Sequence, residues 1–387
     1  MSRSRRTILT AGAALAVVMA GASGPGGAQA SHSPGSGGPP QTVVDLEGPR
    51  GVDALGHGRT LVTEADGTFS MVVERRGEEP YTAELGRLRT DFAPAVAFGR
   101  GGTVYLLTGS AAPPEQAAMD KLSGEEPQRV PSAGATLFRW RLGWARPRPV
   151  ADIGAYQQTD PDPADLEDAP EESNPFGLAA LRSGAVLVAD AAGNDLLRVR
   201  RNGDIETVAR LLPRTVEVPA GLPDVPPEEG GPLPPAGTPL PSEGVATSVT
   251  VGPDGAWYVG ELRGFPATPG TSQVWRVEPG STDATCDPGH PRRGACTRFA
   301  DGLTSVVDLG ASRRHLYAAE LSEQSWLQVE LGVPGAEVGA VTRWDRRGAP
   351  AGELAPGELV LPGGVDADHG VYVTGPVFGP GALLRFG

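Results

Sequence analysis

Short apolar runs separated by turn residues recur along the chain, and the clearest set lies between Ser173 and Leu211. There Phe176 to Leu181 and Ala185 to Ala189 flank Arg182-Ser183-Gly184, Leu196 to Val199 follows an Ala-Gly-Asn turn, and Glu206 to Leu211 follows Asn202-Gly203. Runs this short, bounded by Gly and Asn, predict β-strands joined by tight turns. Four such strands form a sheet too small to bury its own faces, so the unit needs copies of itself alongside.

Those copies can be followed through a recurring pair of strands. The first begins near Pro, Gly or Thr; after a Gly-rich turn, the second runs through aromatic or aliphatic residues, often to an acid. Pairs occur at Pro49 to Val52 with Thr60 to Glu64, Pro94 to Phe98 with Val104 to Thr108, and Phe176 to Leu181 with Val186 to Asp190. Further pairs are Ala246 to Val249 with Trp257 to Glu261, Leu303 to Val307 with Leu316 to Glu320, and Pro362 to Val365 with Val371 to Gly375. Third strands follow at Thr136 to Trp140, Leu196 to Val199, Gln273 to Val277, Ala340 to Trp344 and Ala382 to Phe386, each ending in Arg and a hydrophobic residue, the pattern of a half-buried strand.

The last copy stops after its third strand. Gln41 to Leu46 (QTVVDL) precedes the first copy and resembles the fourth strand Glu206 to Leu211 (ETVARL). If it completes the last sheet, the fold is an all-β, six-bladed β-propeller with the N-terminal strand closing the last blade, which leaves only short protected edges. Loops intrude at Ser110 to Ala133, Tyr156 to Glu172 and Pro213 to Glu243; the last, rich in Pro, Gly and Glu, reads as solvated.

Residues 1–30 read as an export signal: Arg3, Arg5 and Arg6 precede an apolar run from Ile8 to Ala22 and a small-x-small site at Ala28-Gln29-Ala30. Arg5-Arg6 also resembles a twin-arginine signal. Residues 31–40 form a Gly/Ser/Pro linker, and 41–387 the propeller. No segment has the roughly 20 apolar residues of a membrane span. The product is expected to be secreted, extracellular and monomeric. Gly 55 and Pro 39 supply the turns, and a net charge of -14 argues against nucleic acid or anionic lipid as partner. Cys286 and Cys296 bracket a Pro/Gly-rich loop and are expected to form a disulfide outside the cytoplasm; two Cys with His290 between them lack the ligand set of a metal site.

Ser173-Asn174-Pro175-Phe176-Gly177-Leu178, the stretch from Val188 to Val199, and Ala246 to Pro266 (ATSVTVGPDGAWYVGELRGFP) resemble the ScyD/ScyE family of secreted proteins. The resemblance is strong over most of Asn174 to Val277, moderate over the last two blades and weak before Ala133. It implies a β-propeller in the style of NHL-repeat, SMP-30/gluconolactonase and streptogramin-lyase propellers, with no general reaction assigned. The segment Asp66 to Arg89 departs from the family pattern, being shorter and without Cys.

The repeat also supplies the one candidate constellation. In an antiparallel hairpin the start of the first strand lies beside the end of the second, so both would sit on one face near the channel. Glu64, Asp190, Glu261 and Glu320 occupy the second-strand end, with Arg50, Asn174, Thr247 and Thr304 near the first-strand start as channel-face or ligand candidates. Convergent carboxylates suit Ca²⁺ or another divalent cation, and the SMP-30 resemblance implies such an ion. Alternatively, each acid accepts backbone N–H groups of its own turn. The sequence has no P-loop, no G-x-S-x-G, no S-x-x-K and no H-E-x-x-H. His32, His57, His290, His315 and His369 are scattered, with His57 and His369 in turns on the opposite face. Two functions stand: a binding or scaffold propeller for a small molecule or extracellular protein, and a metal-dependent lactonase or lyase.

Overall fold

The computed structural model describes residues 39–90, 92–110, 134–225 and 231–386. The expected export signal and all but the end of the linker lie outside these residues. Strand β1 (Gln41–Glu47) precedes the first complete blade, which is β2 (Val52–Gly56), β3 (Arg59–Thr63), β4 (Thr68–Val73) and β5 (Tyr81–Arg87). Blade 2 is β6 (Ala95–Gly99), β7 (Thr103–Leu107), β8 (Thr136–Arg141) and β9 (Arg148–Asp152), followed by the short helix α1 (Ile153–Gln157). Blade 3 is β10 (Pro175–Ala180), β11 (Val186–Asp190), β12 (Asp195–Val199) and β13 (Ile205–Leu211). A hairpin of β14 (Arg214–Glu217) and β15 (Pro239–Ser242) leads to blade 4, formed by β16 (Ala246–Val251), β17 (Trp257–Glu261), β18 (Ser272–Val277) and, after β19 (Ala284–Cys286), β20 (Cys296–Leu303). Blade 5 is β21 (Val306–Ala311), β22 (His315–Glu320), β23 (Val338–Asp345) and β24 (Pro350–Val360), with helix α2 (Trp326–Glu330) in its loop.

Blade 6 is β25 (Gly364–Ala367), β26 (Val371–Gly375) and β27 (Pro380–Phe386), and β1 completes it. The antiparallel register pairs Thr42 with Leu384 and Asp45 with Ala382, so the chain's first described strand closes a six-bladed propeller, as its likeness to β13 predicts. Val43 and Leu46 of β1 are buried; the closure is therefore packed as well as hydrogen-bonded.

The core is divided among the blade-to-blade interfaces. Leu61 and Phe69 of blade 1 meet Leu106 and Trp140 of blade 2, with the Phe69 and Trp140 rings edge-on at 5.4 Å. Leu196 and Val208 of blade 3 meet Trp257 and Trp275 of blade 4. Inner strands approach so closely that a Cβ on Gly177 would lie 2.6 Å from the Thr247 carbonyl oxygen, which requires glycine there. Threonine hydroxyls tie neighbouring blades at this radius: Thr63 Oγ1 donates to the Pro94 carbonyl at 2.6 Å, Thr247 Oγ1 to Val306 at 2.6 Å and Thr374 Oγ1 to Arg50 at 2.7 Å.

Two features differ from the expectations drawn from the chain alone. The segment Pro213 to Glu243 contains the β14–β15 hairpin as well as loop, because Val216 and Val218 find buried positions that composition conceals. Cys286 and Cys296 do form a disulfide, with Cα atoms 5.0 Å apart, but Cys286 belongs to β19, which pairs in parallel with β13 and widens blade 3 to five strands. Among the described residues no helix is long and apolar enough to cross a membrane.

Candidate ligand channel

The four second-strand acids lie at corresponding blade corners, and each is engaged locally. Asp190 is fully buried; its Oδ1 accepts from the Asn174 and Gly193 amides at 2.7 and 3.3 Å, and its Oδ2 from Ser173 Oγ at 2.6 Å and Gln157 Nε2 at 3.3 Å. Glu261 accepts from Trp275 Nε1 at 2.5 Å and forms an ion pair with buried Arg263. Glu320 accepts from the Thr304 amide and Thr342 Oγ1, both at 2.7 Å, and Glu64 from the Glu47 amide at 2.8 Å. Blade corners leave backbone N–H groups without ladder partners, and a carboxylate placed there supplies the acceptor. Burial pushes Asp190 up from the usual carboxylate range and takes Glu261 and Glu320 to about 7.

The divalent-ion expectation at Glu64, Asp190, Glu261 and Glu320 does not fit this arrangement. A Ca²⁺ site needs several oxygens directed at one point, whereas these point into separate corners. Among the described residues no group of three or more His, Cys, Asp or Glu side chains is arranged to hold a metal ion.

The first-strand candidates divide in the same way. Asn174 donates its amide to Asp190, and its side-chain oxygen accepts from the Ser110 amide at 3.1 Å. Thr247 joins blades 4 and 5, and Thr304 Oγ1 accepts from the Gly270 amide at 3.0 Å. Arg50 alone reaches the channel. Its guanidinium is buried, donates through Nη1 to the Ala93 carbonyl at 3.1 Å and through Nη2 to the Phe176 carbonyl, and lies 3.7 Å from the Phe176 ring centroid. Phe92 stacks on Phe176 at 6.4 Å and touches Phe378 at 6.3 Å. Arg50 thus bridges blades 1, 2 and 3 beneath an aromatic roof on the loop side of the channel. Desolvation lowers its pKa to about 10, partly opposed by the charge of Asp308, so it remains a cation at neutral pH.

Below Arg50 the six inner strands enclose a cavity of about 250 Å³. Three aspartates outside the set of strand-end acids face it: Asp308 from blade 5, Asp366 from blade 6 and Asp53 from blade 1. Each spends one oxygen on the next inner strand. Asp308 Oδ2 accepts from the Val365 amide at 2.8 Å, Asp366 Oδ2 from Ala54 at 2.8 Å, and Asp53 Oδ2 from Phe98 at 2.5 Å. Burial pushes Asp308 up to about 7 and Asp366 to about 6; burial together with the charge of Asp366 holds Asp53 well above the usual range. At the hairpin-turn end, Phe98, 40% exposed, and Val251, 36% exposed, line the mouth. A signal for this site was present in the sequence, since Val-Asp occurs in three first strands as Val52-Asp53, Val307-Asp308 and Val365-Asp366.

His57 and His369 do lie in hairpin turns at that end, both with positive φ, and His369 Nε2 is 3.5 Å from an Asp368 carboxylate oxygen. Neither lines the cavity.

No family model matches the chain, and no curated protein matches it. Among solved structures, similarity extends to the PQQ-bound form of an aldose sugar dehydrogenase from Streptomyces coelicolor, at 13% identity and TM-score 0.47, covering 90% of this chain and 97% of that one. Virginiamycin B lyase from Staphylococcus aureus is similar at 12% identity and TM-score 0.45, covering 89% and 98%. A gluconolactonase from Xanthomonas campestris is similar at 11% identity and TM-score 0.46, covering 92% and 97%. None of these likenesses carries a residue or an activity to this chain.

Proposed function

We propose that the protein is an exported binding propeller that holds, in its channel, the cationic hydrogen-bond-donating group of a small molecule. The observation carrying this reading is the convergence of Asp53, Asp308 and Asp366 on one cavity with a roof at its Arg50 end. A cavity of about 250 Å³ sits just below the roughly 300–1,000 Å³ of drug-sized pockets, which favours an ammonium or guanidinium group over a whole large ligand. In a site shielded from bulk water a cation stabilises the ionised carboxylates, so binding releases protons and strengthens as pH rises from about 6 to about 8. The disulfide supports the exported setting.

The test is calorimetry with methylammonium and guanidinium ions. Binding is expected for the wild type, with proton release shown by dependence on buffer ionisation heat, and is expected to vanish in Asp53→Asn with Asp366→Asn. Absence of heat with both ions would sink the reading. The alternative, a metal-assisted lactonase or lyase, requires a Ca²⁺- or Mn²⁺-dependent rise in melting temperature that Glu261→Gln with Asp190→Asn removes. The local engagement of those acids speaks against it.

A further inference from the structure

On the hairpin-turn side of the blade 2–blade 3 interface, Arg100, Arg139, Arg141, Arg200 and Arg201 line a hollow of about 40 Å³. Five cations meet there in a chain whose net charge is -14. Among the described residues only one is matched by a carboxylate: Arg200 Nη2 lies 2.9 Å from Glu206 Oε2. Arg141 Nε donates to Thr103 Oγ1 at 3.0 Å. Among the described residues, the side chains of Arg100, Arg139 and Arg201 have neither an ion pair nor a hydrogen bond.

The repeat makes this local imbalance conspicuous. The third-strand Arg is satisfied in the other blades that carry it: Arg198 pairs with Glu206, Arg276 with Asp254 at 2.9 Å, and Arg385 with Glu74 at 3.2 Å, while Arg343 Nε donates to the Ala351 carbonyl at 3.0 Å. Arg139 occupies the equivalent position of β8, opposite Tyr105. It shares its hollow with the cationic β12–β13 turn of the next blade, and among the described residues it pairs with no acid. That turn is seated by Gly184, with φ +86, where a Cβ would come within 2.5 Å of Arg201 Nε.

We propose that this hollow is an oxyanion site for a phosphate- or sulfate-bearing ligand. Unpaired guanidinium groups repel one another, and a multiply charged oxyanion both removes that repulsion and accepts paired N–H donors from their planar forks. The hollow is small and rimmed by exposed arginines, so a single oxyanion group can lie over it while the rest of the ligand stays in solvent. The overall negative charge disfavours a long polyanion, but at physiological salt that repulsion is screened beyond about 8 Å and leaves the local pocket attractive to a compact anion. This site lies outside the channel and stands independently of the channel reading.

The experiment uses the exported chain with pyrophosphate as soluble probe and phosphatidic-acid vesicles as lipid-borne probe. Arg139→Gln with Arg201→Gln removes two exposed side chains that make no hydrogen bond or ion pair among the described residues, and Arg292→Gln with Arg293→Gln makes the same charge change in the exposed disulfide loop. Pyrophosphate is expected to bind the wild type and the loop variant alike, and the pocket variant at least about tenfold more weakly. Co-sedimentation with vesicles that the pocket variant loses would assign the oxyanion to a lipid headgroup; pyrophosphate binding without co-sedimentation would assign it to a soluble ligand. Failure of the wild type to bind either probe, or equal weakening in both variants, overturns the proposal. The near-ultraviolet circular dichroism of each variant, expected unchanged, verifies that the fold is retained.

Discussion

Replacing Asp190 by alanine separates a corner-capping role from a ligand role. The substitution removes a fully buried carboxylate that accepts from four donors at 2.6, 2.7, 3.3 and 3.3 Å, the half-buried Ser173 and Asn174 and the buried Gly193 and Gln157. A buried donor left unpaired costs about 1–3 kcal/mol, and the two short bonds dominate. Against this, burial raises the pKa of Asp190, so removing the carboxyl recovers part of a desolvation cost. The expected net loss is about 3–4 kcal/mol, which at about 2 °C per kcal/mol for a large domain lowers the melting temperature by about 6–8 °C. Asp190→Asn keeps an acceptor toward the Asn174 amide and should lose about half as much. Melts followed by far-ultraviolet circular dichroism, with and without Ca²⁺, measure both variants. An alanine variant melting within about 1 °C of the wild type, or a wild-type Ca²⁺ shift that the variant lacks, would refute the capping argument.

Three further outcomes follow from the same structure. Glu261, Glu320 and Asp308 are raised to about 7 and Asp366 to about 6. Over the interval between their unfolded and folded pKa values the native state therefore holds more protons than the unfolded chain. Their contribution is fully present below the unfolded carboxylate range and lost as pH rises through about 6–7, so the protein should melt higher at about pH 5 than at about pH 8; the reverse slope would contradict these environments. Reducing Cys286–Cys296, ten residues apart, opens a small loop worth about 3 kcal/mol on chain-entropy grounds. Because the Cys286 carbonyl accepts the Leu212 amide at 3.0 Å, reduction should speed hydrogen exchange at Leu212, and unchanged exchange there would count against this coupling. Deleting residues 1–47 removes β1 and bares the edge of β27. The truncated chain should associate or unfold, as seen by analytical ultracentrifugation, and a stable monomer of wild-type melting temperature would contradict closure by β1.

The positions of the strands, their grouping into six units and the closing role of Gln41 to Leu46 are properties of the sequence, because alternation and turn residues act over a few positions and the repeat shows them several times. Pairing of Cys286 with Cys296 is equally local. The direction of the strand-end side chains is not. Glu64, Asp190, Glu261 and Glu320 stand at equivalent repeat positions, yet the amides that capture them, such as Glu47 and Thr304, belong to corners formed only when chain segments meet.

Asp53 and Asp366 lie at opposite ends of the propeller sequence and share a cavity because ring closure makes the last blade the neighbour of the first. Arg139 and Arg201 likewise share a hollow because blades 2 and 3 are adjacent in the ring. Periodicity of two residues assigns a side chain to one face of its sheet. Which groups that face meets depends on the neighbouring blade, and therefore both polar sites were decided by the tertiary structure.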